Sequence, residues 1–350
     1  MLKVLYDARV LNPRTRHWGP GRTTHEIISR LSDRFDFRGL SYSFVDCRNF
    51  NITPWPRIPK LNFLMFELSP MLRRDWDVYW GTNHFLPALT FKKPTVITVH
   101  DLLLLKYPSD QKHSPLFAQR FISSLKRAKK VICVSRTTAD DLLNRFPWLN
   151  RKLTVIRWGV NLEHPSIEVE EKIGKRFGEM LYVVVPGAHR PRKNLPLTVA
   201  AVKAVKEMGL SSLRLLITGS IHDTFKTLLD EEWVQATGTL TREQYLALIK
   251  GAIALLFPSI YEGFGLPILE AMAMGCPVIA LATPINKEVA GKAGILLTDS
   301  PIEWAQNIKK LVEDPKWRQE IVEMGYENLK RFSWEEAAQG YAEVFEEVTR

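Results

Sequence analysis

Apolar positions along this chain fall into two alternating patterns: short, nearly unbroken β-branched runs, and longer stretches in which they recur at helical spacing. In the first half, residues 3–6, 77–80, 95–99, 131–134 and 153–156 are predicted strands. Helical patterns fill the gaps: one begins near Arg22, one spans 115–128, and one follows Ser135, whose hydroxyl suits an N-cap. Such alternation predicts a mostly parallel sheet covered on both faces. The polar stretch 161–179 carries five glutamates and no long apolar run, which reads as a linker. Beyond it the pattern restarts, with predicted strands at 181–185, 214–218, 253–257, 277–280 and 294–297 and helices at 195–208 and 242–250. At the end, Ser333 with Glu336 three residues on reads as a capping box. Trp334, Ala338, Tyr341, Phe345 and Val348 then make one apolar stripe of a long docking helix.

The expected organisation is therefore α/β with two Rossmann-like doubly wound parallel-sheet domains, residues 1–165 and 166–332, and a helix over 333–350 packing back on the first. Two such domains can face each other across a cleft lined by the carboxyl ends of both sheets, where ligands of open α/β sheets bind. A chain of 350 residues, 45% hydrophobic and 25% charged, has the size and balance for two cores. No stretch approaches the roughly 20 apolar residues of a membrane span, and Asp7 and Arg9 interrupt the start where a signal peptide would be apolar, so a cytoplasmic protein is expected. Cys47, Cys133 and Cys276 are far apart and form no CxxC pair, so neither a disulfide framework nor a zinc site is expected.

Charge is unevenly divided. Residues 1–165 hold 27 Lys and Arg against 13 Asp and Glu, whereas the remainder holds 21 against 25. The basic half points to an anionic partner. The stretch 117–130, FAQRFISSLKRAKK, combines apolar and cationic residues in a way that suits an anionic membrane surface. Nucleic acid is the rival partner for a basic chain of pI 9.4, but no reading motif accompanies the charge, and none is expected to bind.

The most informative chemistry lies in FPSIYEGFGLPILEAMAMGCPVIA, residues 257–280. A buried strand ends, a glycine-rich turn follows, and a helix opens at Pro267. Gly263 and Gly265 allow close backbone approach to a ligand, and free N–H groups at the helix start suit a diphosphate. Glu262 in the turn and Glu270 in the helix can both present carboxylates to it. A second element, PGAHRPRKNLPL at 186–197, places Arg190, Arg192 and Lys193 after a strand. Fixed cations there suit a phosphate group.

The first of these segments resembles the EX7E signature of the GT-B glycosyltransferase family 4, and the second its G-x-x-x-P-R-K-N-L element. The resemblance extends to TVITVHDL with His100 and Asp101, to the loop at 14–26 with Gly19, Gly21 and Arg22, and to lesser matches at 133–142, 157–161, 218–220 and 238–252. Thr24 replaces the third glycine of a GxGxxG pattern, and Ala188 stands where many relatives have arginine, a role Arg190 could fill.

The family implies a retaining glycosyltransferase that works without metal or cofactor on a nucleotide-sugar donor. By resemblance, Glu262 and His100 contact the donor sugar near the reacting carbon, and Glu270 binds the ribose. Arg192 and Lys193 take the phosphates. Gly187, Gly263, Phe264, Gly265 and Leu266 line the sugar and phosphates, and Thr218, Gly219, Thr239 and Leu240 border the base. Asp101 is placed on the acceptor side. The one Asp-x-Asp, Asp75 to Asp77, starts a predicted strand and makes a poor metal clamp. The resemblance implies GDP-mannose as donor, and the basic first half with the stretch 117–130 points to a saccharide or lipid-linked saccharide acceptor, at the inner face of a membrane in cell-surface polysaccharide assembly. A UDP-sugar transferase is the nearer alternative, and a GT-B phosphorylase or epimerase the further one.

Overall fold

The computed structural model describes residues 1–12, 19–41, 51–54, 66–68, 70, 75–87, 93–107, 115–177, 180–188 and 190–350. The chain divides into two compact units, Met1–Gly159 with Ser333–Arg350, and Val160–Phe332.

The first unit is built on seven parallel strands: β1 (Leu2–Asp7), β2 (Phe35–Ser41), β3 (Ile52–Pro54), β4 (Val78–Gly81), β5 (Thr95–Val99), β6 (Lys130–Cys133) and β7 (Leu153–Val155). Their order is β3-β2-β1-β4-β5-β6-β7. Val4, Leu5, Tyr6, Val96, Ile97 and Val99 are wholly buried, as strands covered on both faces require. Helices α1 (Gly19–Leu31), α2 (Pro115–Arg127) and α3 (Arg136–Arg145) connect the strands. Ser135 caps α3 by accepting the Thr138 N–H at 3.0 Å.

The terminal helix, Trp334–Thr349, belongs to this unit. Ser333 Oγ accepts the N–H groups of Glu335 and Glu336 at 3.1 and 3.2 Å. Trp334, Ala338, Tyr341, Phe345 and Val348 are all buried. Thr98 Oγ1 accepts Trp80 Nε1–H at 3.0 Å and lies 3.1 Å from the Tyr341 hydroxyl, which ties the helix to β5. Gly159 lets the backbone pass beside Trp334; a Cβ there would lie 2.2 Å from the Trp334 nitrogen.

The second unit has six parallel strands: β8 (Tyr182–Ala188), β9 (Arg214–Ile221), β10 (Val234–Gly238), β11 (Leu255–Phe257), β12 (Val278–Leu281) and β13 (Ile295–Leu297). Their order is β10-β9-β8-β11-β12-β13. The order reverses direction between β8 and β11, the topological position at whose carboxyl ends open α/β sheets bind their ligands. Helices here include α4 (Ile167–Phe177), α5 (Leu195–Glu207), α6 (Arg242–Lys250) and α7 (Leu266–Ala273).

Two expectations change. Much of the stretch read as a linker is α4: its glutamates lie on the outer side of an amphipathic helix, while Ile173 and Phe177 are buried, and Glu170 pairs with Lys250 at 2.6 Å. In α2, Phe121 and Leu125 are buried within the unit and Arg120 pairs with Glu67, whereas Leu116 is exposed. Strands β2, β3 and β10 escape the hydrophobic pattern: in β2, Asp36 and Arg38 interrupt the apolar residues at every second position. Cys133 and Cys276 are buried free thiols, the second pushed up to about 12 by burial. Cys47 lies outside the described residues.

Candidate active site

In the second unit, the candidate residues lie on the segments that follow β8 and β11. Gly187 takes φ +72°, a region open to glycine, and a single 3-10 turn, Pro191–Lys193, ends at Asn194, which is itself left-handed at φ +49°. Arg190 precedes this turn and is exposed. The loop leaving β11 reaches Gly265, whose φ of +102° caps α7 with Pro267 in the first turn, the helix start that the sequence predicts. Gly263 is not among the residues with positive φ, so its freedom is not used for a left-handed turn.

These two loops are fastened to each other. The Ile260 N–H donates to the Arg192 carbonyl at 2.9 Å, and Arg192 Nη1 donates to the Tyr261 carbonyl at 2.8 Å. Between them sits Glu262, with Oε1 2.9 Å from Arg192 Nη1 and 2.7 Å from Lys193 Nζ. Its side chain is 16% exposed, and those of the two cations 11% and 10%. Burial by itself would raise the Glu262 carboxyl, but Lys193 and Arg192, with a hydrogen bond from Ser259, outweigh it and hold the pKa at about 2. The triad is thus two cations and one carboxylate, a site with net positive charge at neutral pH.

Glu270 is the fifth residue of α7, is buried, and pairs with Arg242 at the start of α6. The two glutamates, expected to serve one ligand together, each have a separate basic partner. Sequence reasoning missed Arg242, which stands 28 residues from Glu270; its only signal was its place in the 238–252 match. Phe264, Gly265 and Leu266 are buried beneath the turn, with Phe264 edge-on to Phe332 at 5.9 Å. Thr218 and Gly219, the latter at φ +76°, fall near the end of β9, and exposed Thr239 and half-buried Leu240 follow β10.

The remaining expected residues lie in the first unit. Gly19, Gly21 and Arg22 form the first turn of α1, and a Cβ on Gly19 would come within 2.8 Å of the Trp158 ring. Residues 14–18 of that loop lie outside the described residues. His100 follows β5 and is buried; its Nε2 lies 2.7 Å from the Thr82 carbonyl, which can only accept, so Nε2 carries the proton. Its Nδ1 has no hydrogen-bond partner among the described residues. Asp101 Oδ1 accepts the Leu103 N–H at 2.9 Å and so shapes the turn after the strand. Asp77 accepts the Lys3 N–H at 2.8 Å, and Asp75 pairs with Arg38.

Burial, helped by neighbouring His84, pushes the His100 imidazole down to about 3, so it is neutral at physiological pH. The unfolded chain takes up a proton on this residue below about 6.5, whereas the folded chain does not. His100 therefore contributes stability that is present above about pH 6.5 and lost as pH falls towards 3. His100→Gln should flatten the wild-type decline in melting temperature between about pH 6.5 and 5; an unchanged slope would show that the imidazole is charged in the folded protein.

Two family models match the chain: one described as Glycosyltransferase Family 4 over residues 19–164, the other as Glycosyl transferases group 1 over residues 166–328. The chain is 27% identical to the O-antigen chain mannosyltransferase RfbU of Salmonella typhimurium over 313 residues, covering 84% of this chain and 85% of the relative. It is 26% identical to O-antigen chain mannosyltransferase B of Escherichia coli over 284 residues, 75% and 72% of the two chains. Among solved structures, Anabaena HepE in complex with UDP-glucose superposes with a TM-score of 0.80 at 17% identity, over 99% of this chain and all of that one.

Proposed function

Given that this chain belongs to glycosyltransferase family 4 and is a glycosyltransferase of GT-B fold, we propose that it transfers mannose from GDP-mannose with retention of configuration. The proposed acceptor is a saccharide or lipid-linked saccharide in cell-surface polysaccharide assembly. The observation that carries the reading is the Glu262–Arg192–Lys193 triad at the reversal point of the second sheet. As the bond from the sugar to the diphosphate breaks, the leaving oxygen gains charge, and Arg192, Lys193 and the start of α7 oppose it without a metal or cofactor. Glu262 orients the sugar, Glu270 takes the ribose, and Thr218, Gly219, Thr239 and Leu240 border the base. The acceptor oxygen bonds to the anomeric carbon on the face the phosphate leaves, and its proton passes to the departing phosphate. His100, neutral and buried, can act only as a hydrogen-bonding group.

The two O-antigen mannosyltransferase relatives favour mannose, and the UDP-glucose complex of HepE favours a UDP-sugar as the second reading. No helix is long and apolar enough to cross a membrane among the described residues. Contact with an anionic membrane, where a lipid-linked acceptor would reside, is assigned to the basic charge of the first unit. Flotation with anionic vesicles tests that assignment; binding unaffected by salt, or absent, contradicts it. For the donor, a thermal-shift panel of GDP, UDP and their mannose, glucose and galactose derivatives should show GDP and GDP-mannose raising the melting temperature most. A larger UDP response would replace the donor, and no response to either would overturn the donor site.

A further inference from the structure

The Glu270 carboxylate is buried in the helix that also carries the donor-site turn, and Arg242 reaches it from another helix. Arg242 occupies the first position of α6, immediately after Thr241. Thr241 and Gln244 form a reciprocal capping box, with the Gln244 N–H on Thr241 Oγ1 at 3.2 Å and the Thr241 N–H on Gln244 Oε1 at 3.0 Å. That box fixes the backbone from which Arg242 projects. Helices α6 and α7 pack together, and Arg242 Nη1 bonds Glu270 Oε1. The Glu270 side chain is 6% exposed and that of Arg242 33%, so the guanidinium extends from a buried carboxylate towards the surface. Thr239 and Leu240, proposed to border the base, stand three and two residues before Arg242.

We propose that Arg242 is a positioning residue for nucleotide recognition: by holding Glu270 through its guanidinium, it sets the carboxylate before the ribose arrives. The inference rests on the reading that Glu270 takes the ribose. A free glutamate would have to give up side-chain freedom on binding, a cost that falls on affinity. A planar guanidinium limits rotation of its carboxylate partner in a way that an ammonium does not, so lysine is not an equivalent residue here. Arg242 acts through Glu270, and its effect should appear only with nucleotides that carry the hydroxyl Glu270 accepts from.

The test is the ratio of dissociation constants for 2′-deoxy-GDP and GDP, with 2′-deoxy-UDP and UDP measured alongside, in wild type, Arg242→Gln, Arg242→Lys and Glu270→Gln. Wild type should prefer the ribonucleotide about tenfold or more, the size of one hydrogen bond to a charged group. Arg242→Gln should bring the ratio to within about threefold of one, as Glu270→Gln does, while binding of inorganic pyrophosphate stays unchanged. Arg242→Lys should also lose at least about threefold of the preference, and it carries the test if the glutamine variant does not fold. A ratio that collapses in Glu270→Gln but persists in both Arg242 variants would make Arg242 a structural partner only and overturn the inference. A wild type without ribose preference, or a Glu270→Gln variant that keeps it, would remove the ribose reading itself, and the inference with it.

Discussion

Replacing Glu262 with alanine or glutamine is expected to abolish turnover, by about a thousandfold or more, while nucleoside diphosphate binding is retained or tightened. Loss of one well-placed transition-state contact typically costs 10²- to 10³-fold in rate, and Glu262 also holds both flanking cations. The binding side of the prediction follows from charge. In the donor-free protein, Glu262 neutralises half of the charge of Arg192 and Lys193, at 2.9 and 2.7 Å. Without it, a diphosphate meets two uncompensated cations instead of a site with a net charge of one. Two charges 4 Å apart interact by about 4 kcal/mol at an effective dielectric of 20. Most of that is offset by desolvation, but the sign favours the anion.

The same argument says that the variant without ligand should melt at lower temperature, because two nearly buried cations lose their partner. Added GDP or UDP should then stabilise it more than it stabilises wild type. Calorimetric binding and thermal shift together check this. A tenfold weaker nucleotide affinity in Glu262→Gln would show that the carboxylate belongs to the nucleotide site and not to the sugar.

Lys193→Met is expected to lower kcat by about 10²- to 10³-fold and to weaken nucleoside diphosphate binding by about tenfold. The ammonium lies in the turn after β8 with a 10% exposed side chain, so little solvent screens it from a bound phosphate. Methionine keeps the apolar stem and removes only the cation. Arg192 is a less clean target, because its guanidinium also donates to the Tyr261 carbonyl and fastens the two loops together. Its removal would mix loop movement with charge loss. Single-turnover kinetics with a saturating donor would separate the two effects of Lys193→Met. If kcat stays within about twofold of wild type, the leaving group is stabilised elsewhere.

Much of this protein was legible from its pattern alone. Strands such as β5 and β11 are buried on both faces, so they appear in sequence as unbroken apolar runs, and the helices between them announce themselves by spacing and by caps such as Ser135. Strand β2 escaped because its alternating Asp36 and Arg38 broke the run. The segment with α4 misled because an amphipathic helix with a glutamate-rich face has the composition of a linker. Its buried Ile173 and Phe177 are too few to mark a core from sequence.

For the candidate site, local sequence supplied what local geometry needs: the glycine that permits φ +102° at residue 265, the proline that starts α7, and the residue types able to meet sugar and phosphate. Only the tertiary structure decided which charges meet. Glu262 lies 70 residues from Arg192, and Glu270 lies 28 from Arg242. Those separations carry no periodic signal, because a parallel sheet brings together strand ends that are distant in the chain. Sequence by itself determined the elements and the chemical types at their ends. The order β10-β9-β8-β11-β12-β13 determined that the turns after β8 and β11 adjoin, and so turned two separate motifs into one triad whose carboxylate is held at a pKa of about 2 by its neighbours.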